Sequence, residues 1–367
     1  MKKSITAIVK PTHFCNISCE YCYVEEEAEK GRMSDETLEK LIVELGEINE
    51  GKQSEIIWHG GEPLLAGLDF YEKARYIQYW VGLEKNVRFF NSFQSNGTLV
   101  TDEVIEYCKA HNFSIGFSLD GPKNINDLTR KYANGKGAFD DIFKGIQKAK
   151  EKNLSSGFIV VLTKKNIDYV DDIYKFIKDN NFSVKINPLI HSGKAKSKND
   201  ISIKPIEYAD ALIRFFNLYF NDLDFKGSIE PLDMFMANVA YNKAEGCCAF
   251  GKNCQDNFIS VGPLGDVYPC GRFDGIDKFK LGNINEQSLK EILNNPVRNY
   301  LLTRESKNID DCVSCEYVPL CNSGCMSNGY MVKGNILDKD YYCAGYKKLF
   351  SHMRVEIRKE LEKASIK

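Results

Sequence analysis

Two hydrophobic patterns alternate from the start of the chain to about residue 222. Short β-branched and aromatic runs are typical of buried strands, and apolar positions three or four residues apart are typical of amphipathic helices. The predicted strands are 5–9, 55–58, 87–93, 114–119, 157–162 and 183–187. The predicted helices are 34–48, 70–80, 102–110, 139–150, 169–178 and 205–220.

Six strand–helix units in succession predict parallel strands with the helices packed outside them. Ser34 and Thr101 each precede an acidic first turn, so we expect them to cap their helices. Six units can form either a doubly wound sheet or a partial barrel, and periodicity alone does not choose between the two.

The pattern changes in the last third of the chain. Residues 229–244 are predicted to form a further helix, but from Gly246 the chain is rich in Cys, Gly, Pro and Asn, with short extended pieces such as 258–261. Since few regular elements are predicted there, we expect a metal to supply much of the stability. A helical spacing returns over 346–367, carried by Leu349, Met353, Ile357 and Leu361.

Composition and charge narrow the class of protein. The 367 residues suit a large barrel plus an appendage, and 43% hydrophobic with 27% charged residues is ordinary for a globular protein. There is no run of eighteen or more apolar residues and no signal-peptide pattern, so we expect a cytoplasmic protein without a membrane partner. A net charge of −2 gives no support for binding nucleic acid.

Cysteine is the unusual residue, with thirteen in the chain. Three lie between positions 15 and 22, nine lie between 247 and 343, and Cys108 stands alone in a predicted helix, where we expect it in the core. Clustered cysteines in a chain without an export signal favour metal binding or catalysis over disulfides.

The first cluster is Cys15, Cys19 and Cys22, spaced C-x3-C-x2-C directly after the first predicted strand. Sites of α/β proteins lie at this end of the strands. Three thiolates on one loop can hold three corners of a cubane and leave the fourth iron open to a small molecule. Structural zinc is the alternative, but it requires four ligands, and the only nearby candidate, His13, precedes Cys15 by two residues.

This loop, with Tyr21 before its last cysteine, resembles the signature of the radical S-adenosylmethionine (SAM) superfamily. Further motifs follow later predicted strands in the family's order, and the resemblance implies that the cofactor is bound by Tyr21 of the loop together with Gly60, Gly61, Glu62, Gln94, Asn96, Ser118 and Arg130. In that family the Gly-Gly-Glu-Pro segment meets the methionine amino group. The resemblance also implies a partial (β/α)6 barrel.

The second cluster resembles the SPASM domain of peptide- and protein-modifying radical SAM enzymes. That resemblance assigns an inner auxiliary cluster to Cys248, Cys254, Cys270 and Cys325, and an outer one to Cys312, Cys315, Cys321 and Cys343. Cys247 remains a rival to Cys248, and two zinc ribbons remain an alternative to the two clusters. The expected architecture is an α/β chain with the barrel over 1–228, a SPASM domain over 229–345 and a C-terminal helix over 346–367.

The implied cofactors are three [4Fe–4S] clusters and SAM. A flavodoxin- or ferredoxin-type donor would supply one electron, SAM would be cleaved, and the resulting 5′-deoxyadenosyl radical would remove a hydrogen atom from the substrate. Full ligation of both auxiliary clusters favours electron transfer over substrate ligation. Oxygen would damage the clusters, so we expect an anaerobic setting.

The substrate is less determined than the chemistry. The layout resembles anaerobic sulfatase-maturating enzymes, which convert Cys or Ser to formylglycine. In them an aspartate follows the cysteine equivalent to Cys270 and accepts a proton, whereas this chain has Gly271 there, and Asp274 is the substitute we consider.

We therefore favour oxidative crosslinking, through a C–C, ether or thioether bond, of a ribosomally made precursor peptide. The barrel begins almost at once, so we expect the leader to be bound either by a separate protein or by the barrel and SPASM domain. Alternatives are a sulfatase maturase, a non-catalytic iron–sulfur or zinc protein, and a nucleic-acid-modifying radical SAM enzyme, which the near-neutral charge does not support.

Overall fold

The computed structural model describes residues 4–25, 30–154, 156–246, 248–251 and 254–365. Its centre is one ten-stranded sheet with the strand order β10-β9-β8-β1-β2-β3-β4-β5-β6-β7. The strands are β1 Thr6–Val9, β2 Gln53–Trp58, β3 Arg88–Ser95, β4 Ser114–Ser118, β5 Ser156–Leu162, β6 Val184–Pro188, β7 Ile229–Glu230, β8 Phe258–Val261, β9 Asp266–Tyr268 and β10 Gly282–Asn283. The sheet is open, since no pairing joins β7 to β10.

The helices that follow β1 to β6 complete the predicted βα units. The helices are α1 Asp35–Ile48, α2 Leu68–Lys85, α3 Asp102–Ala110, α4 Lys123–Asn126, α5 Phe139–Glu151, α6 Val170–Asp179, α7 Pro205–Phe220, α8 Leu232–Tyr241, α9 Leu289–Leu293, α10 Pro296–Leu302, α11 Asp310–Val313, α12 Val318–Cys321, α13 Met326–Lys333 and α14 Cys343–Ser365. The predicted caps are confirmed. Ser34 accepts a hydrogen bond from the Thr37 N–H, and Thr101 accepts one from the Val104 N–H.

Strands β1 to β7 are parallel and pair in chain order, as in a partial barrel. The predicted fold class is therefore confirmed. The prediction of a helix over 229–244 is wrong at its start, because β7 pairs with β6 and α8 begins only at Leu232. Pro231 explains the difference, since the residue before a proline disfavours helical backbone and favours an extended one.

The cysteine-rich part of the chain continues the same sheet. Strand β8 runs parallel to β1, with Thr6 opposite Phe258 and Val9 opposite Val261. Strand β9 returns antiparallel to β8 through a turn in which Gly265 has a φ of +88°, a conformation that glycine adopts without strain. Tyr268 at the end of β9 lies opposite Ser260 of β8, and the segment that follows carries Cys270 and places Gly271 near Ile8 of β1.

The C-terminal helix α14 packs on α7 and α8. Its side chains Leu349, Phe350 and Met353 are fully buried, whereas Leu361 near its end is exposed. A second, smaller core of Phe273, Phe279, Leu301, Met326 and Ile336 supports the cysteine-rich segment. Among the described residues, no helix combines the length and apolar character needed to cross a membrane.

Candidate functional site

The loop after β1 carries Cys15, Cys19 and Cys22, and backbone hydrogen bonds to two other segments hold it. The Ser18 and Glu20 amides donate to the carbonyls of Lys131 and Thr129 at 2.6 and 2.9 Å, and the Lys194 amide donates to the Cys22 carbonyl at 3.0 Å. The three thiols are close enough to interact electrostatically with one another. The loop is thus preformed, with its cysteines on one side of the sheet's carboxyl edge.

Gly60 and Gly61 lie against this loop. The Gly61 and Glu62 amides donate to the carbonyls of Thr12 and Phe14 at 3.0 and 2.9 Å. A Cβ atom at Gly60 would lie 2.3 Å from the Thr12 oxygen, and one at Gly61 would lie 2.2 Å from the Phe14 oxygen. Only glycine allows this close approach. The two glycines therefore help to position the cysteine loop, whether or not they also contact a ligand.

Glu62 is completely buried and accepts three hydrogen bonds. Its carboxylate receives the amides of Leu64 and Asn96 at 3.1 and 2.7 Å and the Ser95 hydroxyl at 2.9 Å. Burial raises the pKa of Glu62 to about 7, although these donors act in the opposite direction. The side chain is therefore rigid, and its charge changes near neutral pH.

Arg130 and Tyr21 meet at a buried carboxylate that the sequence analysis did not select. Asp120, after β4, accepts hydrogen bonds from Arg130 Nε at 3.0 Å and from the Tyr21 hydroxyl at 2.5 Å. Arg130 Nη1 reaches the Cys19 sulfur at 3.8 Å. Asp120 thus neutralises Arg130 and aims it at the cysteine loop, and its place in the Ser-Leu-Asp-Gly-Pro turn was the available signal.

The remaining predicted SAM contacts also lie at the strand ends. Asn96 Nδ2 donates to Asn16 Oδ1 at 2.8 Å and to the Cys15 sulfur at 3.7 Å. Gln94 Nε2 donates to the Ser118 hydroxyl at 3.1 Å. These side chains line the same cavity as the three cysteines, as do Tyr21, Gly60, Gly61 and Arg130. Glu62 is the exception, since it lies behind the wall and is not among the described lining residues. The SAM-binding roles of all these residues remain predictions.

The cavity has a volume of about 340 Å³, which is within the range of small-molecule and substrate sites. Two groups of cysteines lie on its wall, the three of the first loop and a second group consisting of Cys248, Cys254, Cys270 and Cys325. Among the described residues of its lining there is no Asp and no Glu, and Arg130 and Arg272 supply the permanent charges.

The second group matches the predicted inner set. Cys270 is close enough to Cys325, Cys254 and Cys248 for electrostatic interaction, and burial raises the pKa of its thiol to about 12. The sulfurs have nearby donors, since Gln255 Nε2 lies 3.5 Å from Cys254 Sγ and Arg272 Nη1 lies 3.5 Å from Cys325 Sγ. Cys247, the rival to Cys248, lies outside the described residues.

The third group matches the predicted outer set and lies apart from the cavity. Cys321 interacts electrostatically with Cys343, Cys312 and Cys315, and all four line one small hollow at the start of α14. Cys108 belongs to neither group. It is fully buried in α3, as expected of a core residue.

The donor chemistry of all three groups fits iron–sulfur clusters. Burial raises the pKa of Cys15 to about 11 and of Cys19 to about 12, so metal binding at neutral pH would release protons from these thiols. Within the described ranges, no three His, Cys, Asp or Glu side chains are arranged around a single metal ion. The residues named for the clusters are thus grouped as predicted, while the number of clusters remains a prediction.

Asp274 lies behind the cavity wall and is buried against Lys10 and His13. It forms an ion pair with Lys10 Nζ, and its second contact, to His13 Nε2, is 3.1 Å. Burial alone would raise the pKa of Asp274, but Lys10 and His13 hold it at about 2. An ion-paired carboxylate with so low a pKa is a weak proton acceptor, so the role assigned to Asp274 as a base remains an untested prediction.

His59 and Tyr23 line the cavity and were missed by the sequence analysis. His59 Nδ1 accepts the Gly60 amide at 2.8 Å, so its proton is assigned to Nε2, and burial lowers the pKa of the ring to about 4. The Tyr23 hydroxyl lies 3.5 Å from the same Nδ1. The two residues therefore give this wall a neutral imidazole and a phenol, and their positions beside Cys22 and Gly60 were the available signals.

Comparison with known proteins agrees with this geometry. The radical SAM superfamily matches residues 9–177, and the iron-sulfur cluster-binding (SPASM) domain matches residues 248–316. A cysteine-type anaerobic sulfatase-maturating enzyme of Clostridium perfringens is 30% identical over 95% of this chain and 96% of its own. A serine-type enzyme of Bacteroides thetaiotaomicron is 30% identical over 96% and 90%.

A solved structure supports the same relation. Native anSMEcpe with bound AdoMet and Cp18Cys peptide matches with a TM-score of 0.84 and 27% identity, over 98% of this chain and 99% of that chain. The match extends through both the barrel and the cysteine-rich segment. The chain therefore belongs to the SPASM-containing radical SAM family that includes the anaerobic sulfatase-maturating enzymes.

Proposed function

We propose that this radical SAM enzyme oxidises a Cys or Ser side chain of a peptide or protein substrate to formylglycine. The full-length similarity to sulfatase-maturating enzymes of both the cysteine and the serine type supports this reaction over crosslinking, which the sequence analysis favoured. A similar solved protein holds AdoMet and a peptide together, which is the combination that the proposal requires of this chain.

One observation carries the proposal. A single cavity is bordered by the three cysteines of the first loop and by the four inner auxiliary cysteines. A substrate side chain placed between them would face the SAM site on one side and a second cluster on the other. That arrangement suits a two-electron oxidation, in which a hydrogen atom leaves in one direction and an electron in the other.

The cofactors would be held by the residues already described. Cys15, Cys19 and Cys22 would bind the SAM cluster, which when loaded supplies an electron that cleaves SAM to methionine and a 5′-deoxyadenosyl radical. Gly60 and Gly61, which lie on the cavity wall, would meet the amino group of SAM, and Glu62 is buried behind them. Asn96 and Arg130 would hold the cysteine loop through their contacts with Cys15 and Cys19. The apolar part of the wall, including Ile8, Ile159 and Val161, would exclude water.

We further propose three [4Fe–4S] clusters, with the inner and outer auxiliary sets as grouped above. The electron donor would be a flavodoxin- or ferredoxin-type protein. A leader-binding partner belongs only to the crosslinking alternative.

One specific observation keeps crosslinking as a second candidate. Formylglycine formation requires a base for the substrate thiol or hydroxyl, and Gly271 stands where the relatives resembled by this chain have an aspartate. The lining as described contains no carboxylate, and Asp274 is engaged by Lys10. Crosslinking to carbon does not have the same requirement for a base. Formylglycine formation and crosslinking must therefore be distinguished by their products.

The experiment uses anaerobically reconstituted enzyme, SAM, a strong reductant and two synthetic peptides from the modified segment of a sulfatase, one with Cys and one with Ser. Formylglycine formation changes the mass of the Cys peptide by the loss of hydrogen sulfide and the gain of one oxygen atom, and the product reacts with a hydrazide. A crosslink removes two hydrogens and keeps the sulfur. A product that retains sulfur and is inert to hydrazide would refute the proposed reaction.

The matched control is the Cys15→Ala variant, which should form neither product nor 5′-deoxyadenosine. Release of 5′-deoxyadenosine by the parent enzyme without change in either peptide would contradict this substrate class while leaving the radical chemistry in place. Absence of 5′-deoxyadenosine from a fully loaded enzyme would instead support the non-catalytic alternative.

A further inference from the structure

Arg272 lies between the reaction cavity and the inner cysteines. It follows Cys270 and Gly271 on the segment after β9, and its side chain lines the cavity. Its Nη1 atom donates to the Cys325 sulfur at 3.5 Å and to Asn328 Oδ1 at 2.9 Å. The guanidinium is therefore fixed at one end against a cluster ligand.

The charge of Arg272 is not matched by a hydrogen-bonded carboxylate among the described residues. Its second partner, Asn328, is neutral, and Asp340 lies beyond Asn328, which donates to it at 3.1 to 3.2 Å. Asp340 is close enough to interact electrostatically with Arg272, as are Cys248, Cys270 and Cys325, but no hydrogen bond joins Asp340 to the guanidinium among the described contacts. The guanidinium itself stays charged at any ordinary pH.

The corresponding arginine at the SAM cluster has the opposite setting. Arg130 also donates to a cysteine sulfur, that of Cys19, but it is paired through Nε and Nη2 with the buried carboxylate of Asp120. Its positive charge is therefore largely cancelled. A cluster beside an arginine without a hydrogen-bonded carboxylate gains more from taking up an electron than a cluster beside a closely paired arginine.

We propose that Arg272 is a positioning residue that raises the reduction potential of the inner auxiliary cluster and so makes this cluster the acceptor of the substrate's electron. The inference rests on the proposed function and on the inner set Cys248, Cys254, Cys270 and Cys325. The substrate carbon loses one hydrogen atom to the adenosyl carbon. The carbon radical would then give one electron to the inner cluster and one proton to solvent water.

Two neighbouring arginines differ from Arg272 in their hydrogen bonds, although Arg304 also interacts electrostatically with Cys254 and Cys325. Arg304 is buried nearby, but it donates to the carbonyls of residues 323, 324, 336 and 338 and to the Ser323 hydroxyl. Arg298 donates to the carbonyls of Leu293 and Gln255. Neither has a described hydrogen bond to a cysteine sulfur, so Arg298 offers a matched control.

The test measures a potential and does not depend on turnover. In the full chain, Cys15, Cys19 and Cys22 are changed to Ala so that only the auxiliary clusters remain. This triple variant is the parent for the comparison, and it should hold about eight irons. Arg272→Gln, Arg272→Lys and the control Arg298→Gln are added to this background. Redox titration followed by electron paramagnetic resonance then gives each midpoint, and the inner signal is the one lost on Cys270→Ala.

Arg272→Gln should lower the equilibrium constant for reduction of the inner cluster about tenfold, which is about 59 mV for one electron. Arg272→Lys keeps the charge but loses the planar contact with Cys325, so its inner-cluster midpoint should lie between those of the parent and of Arg272→Gln. Arg298→Gln should not shift the midpoint. If the Arg272→Gln protein does not assemble the inner cluster, the Arg272→Lys protein provides the test. An inner-cluster midpoint in Arg272→Lys equal to that of the parent then overturns the inference.

The iron content and the midpoint together distinguish a failure of the role of Arg272 from a failure of the proposed auxiliary clusters. A parent with about four irons or with none would overturn the auxiliary cluster assignment and the role of Arg272 with it. A parent with about eight irons whose inner midpoint is the same in both Arg272 variants would overturn the role of Arg272 alone.

Discussion

The buried pair of Lys10 and Asp274 offers a sharp test of how the barrel and the cysteine-rich segment are joined. The two residues are 264 positions apart in the chain, and their side chains are 1% and 3% exposed. Lys10 directly follows the last residue of β1, and Asp274 lies two residues after Arg272. The ion pair therefore holds the wall that carries the inner cysteines against the strand that leads into the first three.

The perturbation is Lys10→Met, which keeps the length of the side chain and removes its charge. The pKa of Asp274 is about 2 against an ordinary 3.8, a difference of about 1.8 units or about 2.4 kcal/mol at ~1.36 kcal/mol per unit. Breaking a buried pair by removing one partner costs about 3–5 kcal/mol in general. We expect a loss of about 3 kcal/mol in the free energy of unfolding at pH 7.

The dependence on pH has a definite sign. In the natural protein the folded-state pKa of Asp274 is depressed, so its contribution is complete above about pH 4 and is lost as the pH falls toward about 2. In Lys10→Met, Asp274 keeps only its His13 contact, and burial, the largest influence on its pKa, then outweighs that contact and raises the pKa above its ordinary value. The variant should therefore lose stability as the pH rises from acidic to neutral, the reverse of the natural protein.

The assay is urea denaturation of anaerobically purified protein, followed by circular dichroism. Lys73→Met is the matched control, because its pair with Asp35 is more than half exposed on both sides and should change stability by less than about 1 kcal/mol. The double variant Lys10→Met/Asp274→Leu should recover most of the loss, since no unpaired charge remains buried. A Lys10→Met variant as stable as the Lys73→Met control would refute the reasoning.

Three further predictions follow from the site. Glu62 acts on SAM through Ser95 and Asn96, which it holds at the cavity wall and whose donors it accepts best when charged. Because the pKa of Glu62 is about 7, SAM affinity should fall as the pH drops below 7, and Glu62→Gln should bind SAM weakly without this pH dependence, as checked by anaerobic equilibrium dialysis. Cys270→Ala should lose about four irons yet still release 5′-deoxyadenosine, whereas Cys19→Ala should lose about four irons and release none. A Cβ at Gly271 would meet Ile8 at 3.6 Å, ordinary contact, so Gly271→Asp should fit and should speed formylglycine formation by about 10²-fold or more, with Gly271→Asn as the control without a base. An equal rate for Gly271→Asp and Gly271→Asn would contradict the need for a carboxylate at that position.

Local signals in the sequence were sufficient for much of the fold. The six βα units follow from hydrophobic spacing, and Ser34 and Thr101 cap the predicted helices, because these preferences act within a few residues. The spacing of Cys15, Cys19 and Cys22 also determines a local loop geometry. By contrast, β7 was missed, because a two-residue strand before Pro231 has too short a pattern to distinguish it from a helix start.

The sequence by itself determined the order of the six βα units, the three-cysteine loop and the division of the later cysteines into two sets, since each depends on short-range spacing or on a family motif. The tertiary structure alone decided that β8 pairs with β1 and thereby brings Cys270 and Arg272 to the cavity of the first loop. It also decided that Asp274 is bound by Lys10, and that Asp120 cancels the charge of Arg130 while Arg272 has no such partner among the described residues. These contacts join residues that are far apart in the chain, so short-range sequence patterns do not reveal them. Burial and charge pairing in the folded protein then determine the charge and reactivity of each side chain.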